Sequence, residues 1–304
     1  MSGRVLVTGG CGFIGRAVVA ALRASGTPVT VVDREPWLGS SDVDSVQGEL
    51  AEAGVRERAL TEDVDAVVHL AAVTSVLKSK EDPVHTYEQN VAITQGLLEL
   101  ARRRGTRRFV LASTNAVVGD VGTSTITADR PLAPLTPYGA TKAACEMLLS
   151  GYYGAYGLST CALRFTNVYG HGMSHKDSFV PRMMRAALSG AGVRIYGDGE
   201  QSRDLVHIDD VARAVLLAID SEHTGPAIVG AGHSVSVLEL VAAVRSVTGR
   251  PLPAEHVEAP KGEMPAVVVD VSASAGRIGF TPNVALHEGL TDTWKYFQET
   301  WDEA

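Results

Sequence analysis

Cysteine is nearly absent from this chain, and the three present, Cys11, Cys145 and Cys161, follow neither a metal-ligand spacing nor a paired-bridge pattern. That excludes a disulfide-stapled secreted scaffold and makes a reducing cytoplasm the expected setting. Positive charge is also in deficit, with 27 Lys and Arg against 35 Asp and Glu and a formal net charge of -8. Binding to nucleic acid or to an anionic membrane is therefore not expected. The one dense basic run, Arg102, Arg103, Arg104, Arg107 and Arg108, lies between an expected helix and an expected strand and reads as a solvated helix end beside its negative dipole. No uninterrupted apolar stretch is long enough to span a bilayer. Met1-Ser2-Gly3-Arg4 leads straight into a short apolar run, with no room for the core of a signal peptide. Repeats and low-complexity linkers are missing. His171 and His175 share a loop without a third ligand, so no metal is expected.

What is present is enough apolar material, 45% of 304 residues, to bury one large core or two joined smaller ones. Continuous apolar runs at 4–8, 29–32, 66–70, 108–112 and 160–164 read as strands, and 12–24, 83–104 and 138–156 read as helices. Strands that are apolar throughout and separated by helices belong to a parallel sheet covered on both faces. The expected fold is α/β, a doubly wound parallel sheet with a smaller C-terminal substrate-binding lobe. Residues 1–165 form the expected cofactor domain and 166–304 the lobe, with part of 205–230 returning to the first domain. Further helices are expected near 179–188 and 236–248.

The run Val5-Leu6-Val7-Thr8 passes into Gly9-Gly10-Cys11-Gly12-Phe13-Ile14-Gly15 and then into an apolar helix pattern. Glycines in a strand, turn and helix context allow a tight turn and let a pyrophosphate approach the helix N-terminus. Asp33 ends the next strand, where a carboxylate binds ribose hydroxyls and repels a 2′-phosphate, so NAD is expected over NADP. Arg34 beside it could accommodate phosphate instead. Tyr138 and Lys142 then stand four apart in an expected helix and share one face. An ammonium beside a phenol favours tyrosinate, which can take a proton from a hydroxyl while hydride leaves the same carbon. Alone, that spacing is also that of an ordinary surface pair.

With these residues in view, the chain resembles the extended short-chain dehydrogenase/reductase superfamily, and within it the nucleotide-sugar epimerase/dehydratase family. The resemblance runs over nearly the whole length. It rests on Thr8 to Gly15 as the cofactor loop, His69-Leu70-Ala71-Ala72 as the fourth-strand motif, Asn90-Val91 on the nicotinamide side, and Glu49-Leu50 beside adenine, where Glu49 stands for the usual Asp. It implies cofactor contacts from Gly9, Gly12, Phe13, Ile14, Gly15, Asp33, Arg34, Glu49, Leu50, Leu70, Ala71, Ala72, Asn90, Tyr138, Lys142 and Phe165. Ala112-Ser113-Thr114 resembles the serine/threonine strand end, with Thr114 as catalytic hydroxyl and Ser113 its nearest competitor.

In the second half, Leu163 to Gly170 resembles the RxxNVYG segment, and 195–210 a long family motif. These imply Asn167 and Arg203 as substrate contacts, Arg203 facing a diphosphate, together with Ser75, Thr114 and Tyr138. A turn-forming role is the alternative for Asn167. Asp204, Asp209 and Asp210 read as structural partners or helix starters. Where relatives carry a second arginine before Gly262, this chain has Pro260, with Lys261 next to it. Dehydratases in the family place Asp-Glu after the catalytic threonine, whereas Asn115-Ala116 follow Thr114 here, and Asn167 with His171 to Ser174 favours a neutral sugar. The resemblance thus implies a homodimeric nucleotide-sugar 4-epimerase acting on a substrate like UDP-glucose or UDP-galactose. A keto-sugar reductase or dehydrogenase, a dehydratase and a catalytically silent nucleotide-binding regulator are the alternatives.

Overall fold

Successive residues of a strand point to opposite faces, and here both faces are apolar, so each strand contributes to two cores. The computed structural model describes residues 3–258 and 266–301. The first half runs β1 (Arg4–Thr8), α1 (Phe13–Ala24), β2 (Val29–Asp33), β3 (Asp44–Gln47), α2 (Ala53–Ala59), β4 (Val64–His69), α3 (Val76–Glu81) and α4 (Pro83–Tyr87). A π-turn (Glu88–Ala92) follows, then α5 (Ile93–Arg104), β5 (Arg108–Thr114), a 3-10 turn (Asn115–Val118), α6 (Pro137–Tyr156) and β6 (Ser159–Phe165). The second half holds β7 (Asn167–Tyr169), α7 (Phe179–Ser189), β8 (Val193–Tyr196), β9 (Ser202–His207), α8 (Ile208–Asp220) and β10 (Gly225–Val229). It continues through β11 (Ser234–Ser236), α9 (Val237–Thr248), β12 (Ala254–Val257), α10 (Ser272–Ile278) and α11 (Leu286–Thr300).

Seven parallel strands form the main sheet in the order β10-β6-β5-β4-β1-β2-β3, the doubly wound Rossmann arrangement. Val5, Val7, Val31, Ala66, Val68, Val110 and Leu163 pack on one face under α1 and α8. Their neighbours Leu6, Val32, Val67, Phe109, Leu111 and Ala162 pack on the other under α2, α5 and α6. The apolar stripe of α8, Val211, Val215, Ala218 and Ile219, has helical spacing and meets Val18, Val19 and Leu22 of α1. Helix α8 and strand β10 therefore belong to this layer although they follow the first strands of the lobe in the chain. The lobe adds a three-stranded sheet, β11-β9-β7, and a two-stranded one, β12-β8, over a core shared by α7, α9 and α11.

The stretch 83–104 is not the single helix that its composition predicts. It opens at Pro83 behind an Asp82 cap and widens into the π-turn around Asn90. There the Asn90 carbonyl accepts from Thr94 Oγ1 at 2.5 Å and Cys145 Sγ at 3.3 Å, so side chains satisfy an oxygen that a wider turn displaces.

Candidate active site

The cradle forms where the chain order reverses, since β1 is flanked by β2 on one side and β4 on the other. Gly9 has φ of +70°, and a Cβ there would stand 2.8 Å from Ala71 N. A Cβ on Gly15 would lie 2.2 Å from Gly9 O, and one on Gly12 at 3.2 Å. Only glycine lets the loops after β1 and β4 meet over the start of α1. That start has Gly12 as cap with no side-chain acceptor, leaving the amides of Phe13, Ile14 and Gly15 without intrahelical partners. The Phe13 ring is buried in the core of the lobe, so only its backbone is left to the cradle. Thr8 Oγ1 accepts from Leu70 N and Ala71 N, both at 3.2 Å, and lies 2.7 Å from His69 Nδ1. Burial pushes His69 down to about 3, so the ring is a neutral strut under the loop.

Asp33 closes the far side of the cradle. Its Oδ2 accepts from Cys11 N at 2.9 Å and its Oδ1 from Glu35 N at 3.1 Å, which aims the carboxylate along the glycine loop. Arg34 is exposed and 3.8 Å from Glu35 rather than turned onto Asp33. Glu49 is exposed, whereas Leu50 beside it is buried in the core. Burial, then the nearby Asp33 charge, pushes the Cys11 thiol up to about 11, so it stays protonated.

The side chains expected to react gather at the end of β5, whose Thr114 is in register with Phe165, the buried last residue of β6. Pro137 and the Thr136 cap start α6, and Gly139 lets its first turn press on the 3-10 turn, since a Cβ there would be 2.7 Å from Ala116 O. The Tyr138 phenol is thereby brought to the Thr114 hydroxyl. Strand alternation sends Ser113 the other way, where its Oγ donates to Glu146 Oε1 at 2.5 Å in the interior. Lys142 is buried and its Nζ donates to Ala112 O at 2.9 Å. The expected tyrosinate is not what this geometry holds. Burial pushes the Tyr138 phenol up to about 12 against the hydrogen bond from Thr114, and the same cause pushes Lys142 down.

Asn90, 1% exposed, spends its amide on the scaffold. It accepts from Val73 N at 2.8 Å and donates to Val73 O and Thr141 Oγ1, both at 3.0 Å, tying the loop after β4 to α6. Ser75 caps α3 through Lys78 N. Asn167 is exposed at the start of β7 and donates to Asp204 O at 3.2 Å. Arg203 lies on β9, two residues from Leu205, the register partner of Asn167, and its Nη1 donates to Ser202 O at 2.8 Å. Gly262 to Pro265, Pro260 and Lys261 lie outside the described residues.

Two features escaped the sequence reading. Asn115, 8% exposed and next to Thr114, has neither amide atom hydrogen-bonded among the described residues. His171 has three polar neighbours, His207, Asp292 and Asp209, which no local spacing could reveal.

A model of the NAD dependent epimerase/dehydratase family matches residues 5–232. The chain belongs to this family. It is 31% identical to a dTDP-glucose 4,6-dehydratase of Actinoplanes sp. over 319 residues, covering 98% of this chain and 99% of that protein. The solved UDP-glucose 4-epimerase of Thermotoga maritima, with UDP-glucose, superposes with a TM-score of 0.93 at 31% identity and covers 98% of this chain and 99% of its own. MoeE5, solved with UDP-glucuronic acid and NAD, has a TM-score of 0.89 at 35% identity, with coverage of 98% and 100%. The protein is thus an enzyme of the NAD dependent epimerase/dehydratase family, and its cofactor is NAD.

The cradle fits that cofactor: glycines clear the approach, unpaired amides at the head of α1 suit a pyrophosphate, and the Asp33 carboxylate suits free ribose hydroxyls. Gly15→Ala is expected to lower both the melting temperature and the NAD recovered from denatured protein. Overpacking of this kind costs about 1 to 3 kcal/mol, and the atom it strikes is backbone. Wild-type stability and NAD content in the variant would show that the loop opens freely.

Proposed function

We propose that this family member is a nucleotide-sugar 4-epimerase acting through a 4-keto sugar, with a substrate like UDP-glucose or UDP-galactose. The observation that carries the reading is the Thr114, Tyr138 and Lys142 set at the end of β5. Asn115 and Ala116 occupy the positions that an elimination would fill with acids. Glu146, one turn beyond Lys142, is locked to Arg164 at 2.7 Å. NAD, when bound, would supply the acceptor and donor of hydride for the sugar carbon. In this reading Tyr138 receives the hydroxyl proton, Thr114 holds the reacting oxygen and Lys142 supplies positive charge under the ribose side. The cofactor contacts would come from the glycine loop, Asp33, Leu70 to Ala72 and Phe165, with Asn90 acting through the loop it ties down.

Residues 1–165 with α8 and β10 would hold the cofactor, and the rest of 166–304 the sugar nucleotide, through Ser75 at the border, Asn167 and Arg203. Arg203→Ala is expected to weaken UDP-glucose by roughly 10- to 150-fold while leaving NAD content unchanged, the loss of about 1.5 to 3 kcal/mol that a charged hydrogen bond represents. Calorimetric titration of both ligands checks it, and unchanged sugar affinity would remove Arg203 from the diphosphate site.

A homodimer is part of the proposal. Leu77, Val84, Tyr87, Met147, Tyr153 and Tyr156 are exposed on α3, α4 and α6, which pack together, and that apolar patch suits a second copy. A cytoplasmic setting accords with the free thiols of Cys11, Cys145 and Cys161. The test of the reaction is a panel of UDP- and dTDP-sugars, UDP-glucuronic acid included because of MoeE5, incubated without added reductant and resolved by NMR. A C4-inverted product without net cofactor consumption supports epimerisation. A 4-keto-6-deoxy product would place the protein with the dehydratases instead.

A further inference from the structure

Two imidazoles and a carboxylate from distant parts of the chain converge beside the C-terminal helix. His171 follows β7, His207 closes β9, and Asp292 lies on the second turn of α11. One donor atom from each lies within 4.8 Å of the other two. Asp292 Oδ2 stands 2.9 Å from His171 Nδ1 and 3.3 Å from His207 Nε2. Four-coordinate zinc, with bonds of about 2.0 to 2.1 Å, spaces its ligands about 3.3 Å apart, so the Asp292 oxygen already stands near ligating separations from both rings.

A second observation is independent of that spacing. His207 is 2% exposed, and its Nε2 has no hydrogen bond of acceptable geometry among the described residues. A buried ring nitrogen pointing into a polar cluster without a hydrogen bond is a position that a ligand would satisfy. Asp209 stands outside the cluster: its backbone N–H donates to His207 Nδ1 at 3.4 Å, and its carboxylate lies 3.5 Å from that nitrogen and 3.8 Å from His171 Nε2. Metal-bound histidines commonly have such a carboxylate on the far nitrogen, which orients the ring. Among the described residues neither Asp209 nor Asp292 pairs with a lysine or arginine, and both carboxylates are exposed.

We propose that His171 Nδ1, His207 Nε2 and Asp292 Oδ2 bind one divalent transition-metal ion, zinc being the cation suited to two imidazoles, one carboxylate and a water. None of the three belongs to the set assigned to hydride transfer, so the ion pins α11 onto the small sheet and takes no part in the reaction.

Zinc chloride titrated into chelator-stripped full-length protein, in competition with a chromophoric chelator, should show one equivalent bound per chain. The melting temperature should rise with it. Asp209→Asn should weaken zinc by roughly 10- to 100-fold, as the loss of an outer carboxylate does, and His171→Ala and Asp292→Asn by more. His175→Ala, on the same loop as His171, should leave zinc affinity unchanged. Cobalt in place of zinc should give a visible absorption that His171→Ala and Asp292→Asn both remove. Absence of saturable zinc binding overturns the proposal, as does one equivalent retained by both ligand variants. His171 is a half-exposed loop residue, so its variant decides the matter even where Asp292→Asn disturbs folding.

Discussion

Tyr138→Phe is expected to give folded protein that retains NAD and turns substrate over roughly 100- to 10,000-fold more slowly, the usual contribution of a general acid or base. The change removes one oxygen and almost no volume, so packing at the head of α6 should survive. The phenol it removes is the group that meets Thr114, and burial holds it protonated, with a pKa of about 12. Lys142 does not offset that burial in the unliganded site, because its ammonium donates to Ala112 O. Proton transfer therefore has to be driven in the reacting complex, and a bare phenyl ring can neither take nor give a proton there. Single-turnover and steady-state rates of purified variant with NAD content matched to wild type check this. Near-normal turnover would reject the assigned role.

A pH signature accompanies that variant. The folded phenol keeps its proton to about 12, whereas an unfolded tyrosine loses it near 10. Between those values the folded state binds more protons, so this group's contribution to stability is intact below pH 10 and declines as pH rises through the window. Tyr138→Phe should be free of that particular decline. Alkaline denaturation profiles of the two proteins, compared over the same range, measure the difference.

Glu146→Ala should cost about 3 to 5 kcal/mol of stability, because it strands a buried guanidinium. Arg164 and Glu146 are both nearly inaccessible and 2.7 Å apart, on β6 and α6. Glu146 also accepts from Ser113 Oγ, and Arg164 Nη1 donates to Ala128 O at 2.9 Å. One ion pair thus joins the end of β5, the central turns of α6 and the loop before it. Replacing both partners, Glu146→Met with Arg164→Met, removes the stranded charge and should recover most of the loss. Equilibrium denaturation of the single and double variants tests it. A single variant within about 1 kcal/mol of wild type would mean that water reaches Arg164 and that the pair is not sealed.

The elements most legible in the sequence are those set by neighbours a few residues away. The parallel strands announce themselves because β1, β2, β4, β5 and β6 are apolar on both faces. The glycine loop is readable because Gly9 and Gly15 stand where a Cβ would meet backbone, and Tyr138 and Lys142 share a helix face through spacing alone. The π-turn at Asn90 was not legible, since it depends on Thr94 and Cys145 capping one carbonyl.

By itself the sequence determined the sheet, the cradle loop and the spacing of phenol and ammonium, all of which follow from local propensity and side-chain periodicity. Only the tertiary structure decided that Ser113 turns to Glu146 while Thr114 meets Tyr138, that Lys142 donates to the end of β5, and that Asn90 ties a loop to α6. It alone brought Asp292 to His171, 121 residues away. Such meetings are set by how α11, β9 and the loop after β7 pack over a common core, and a chain's local pattern carries no record of which distant surfaces its layers will press together.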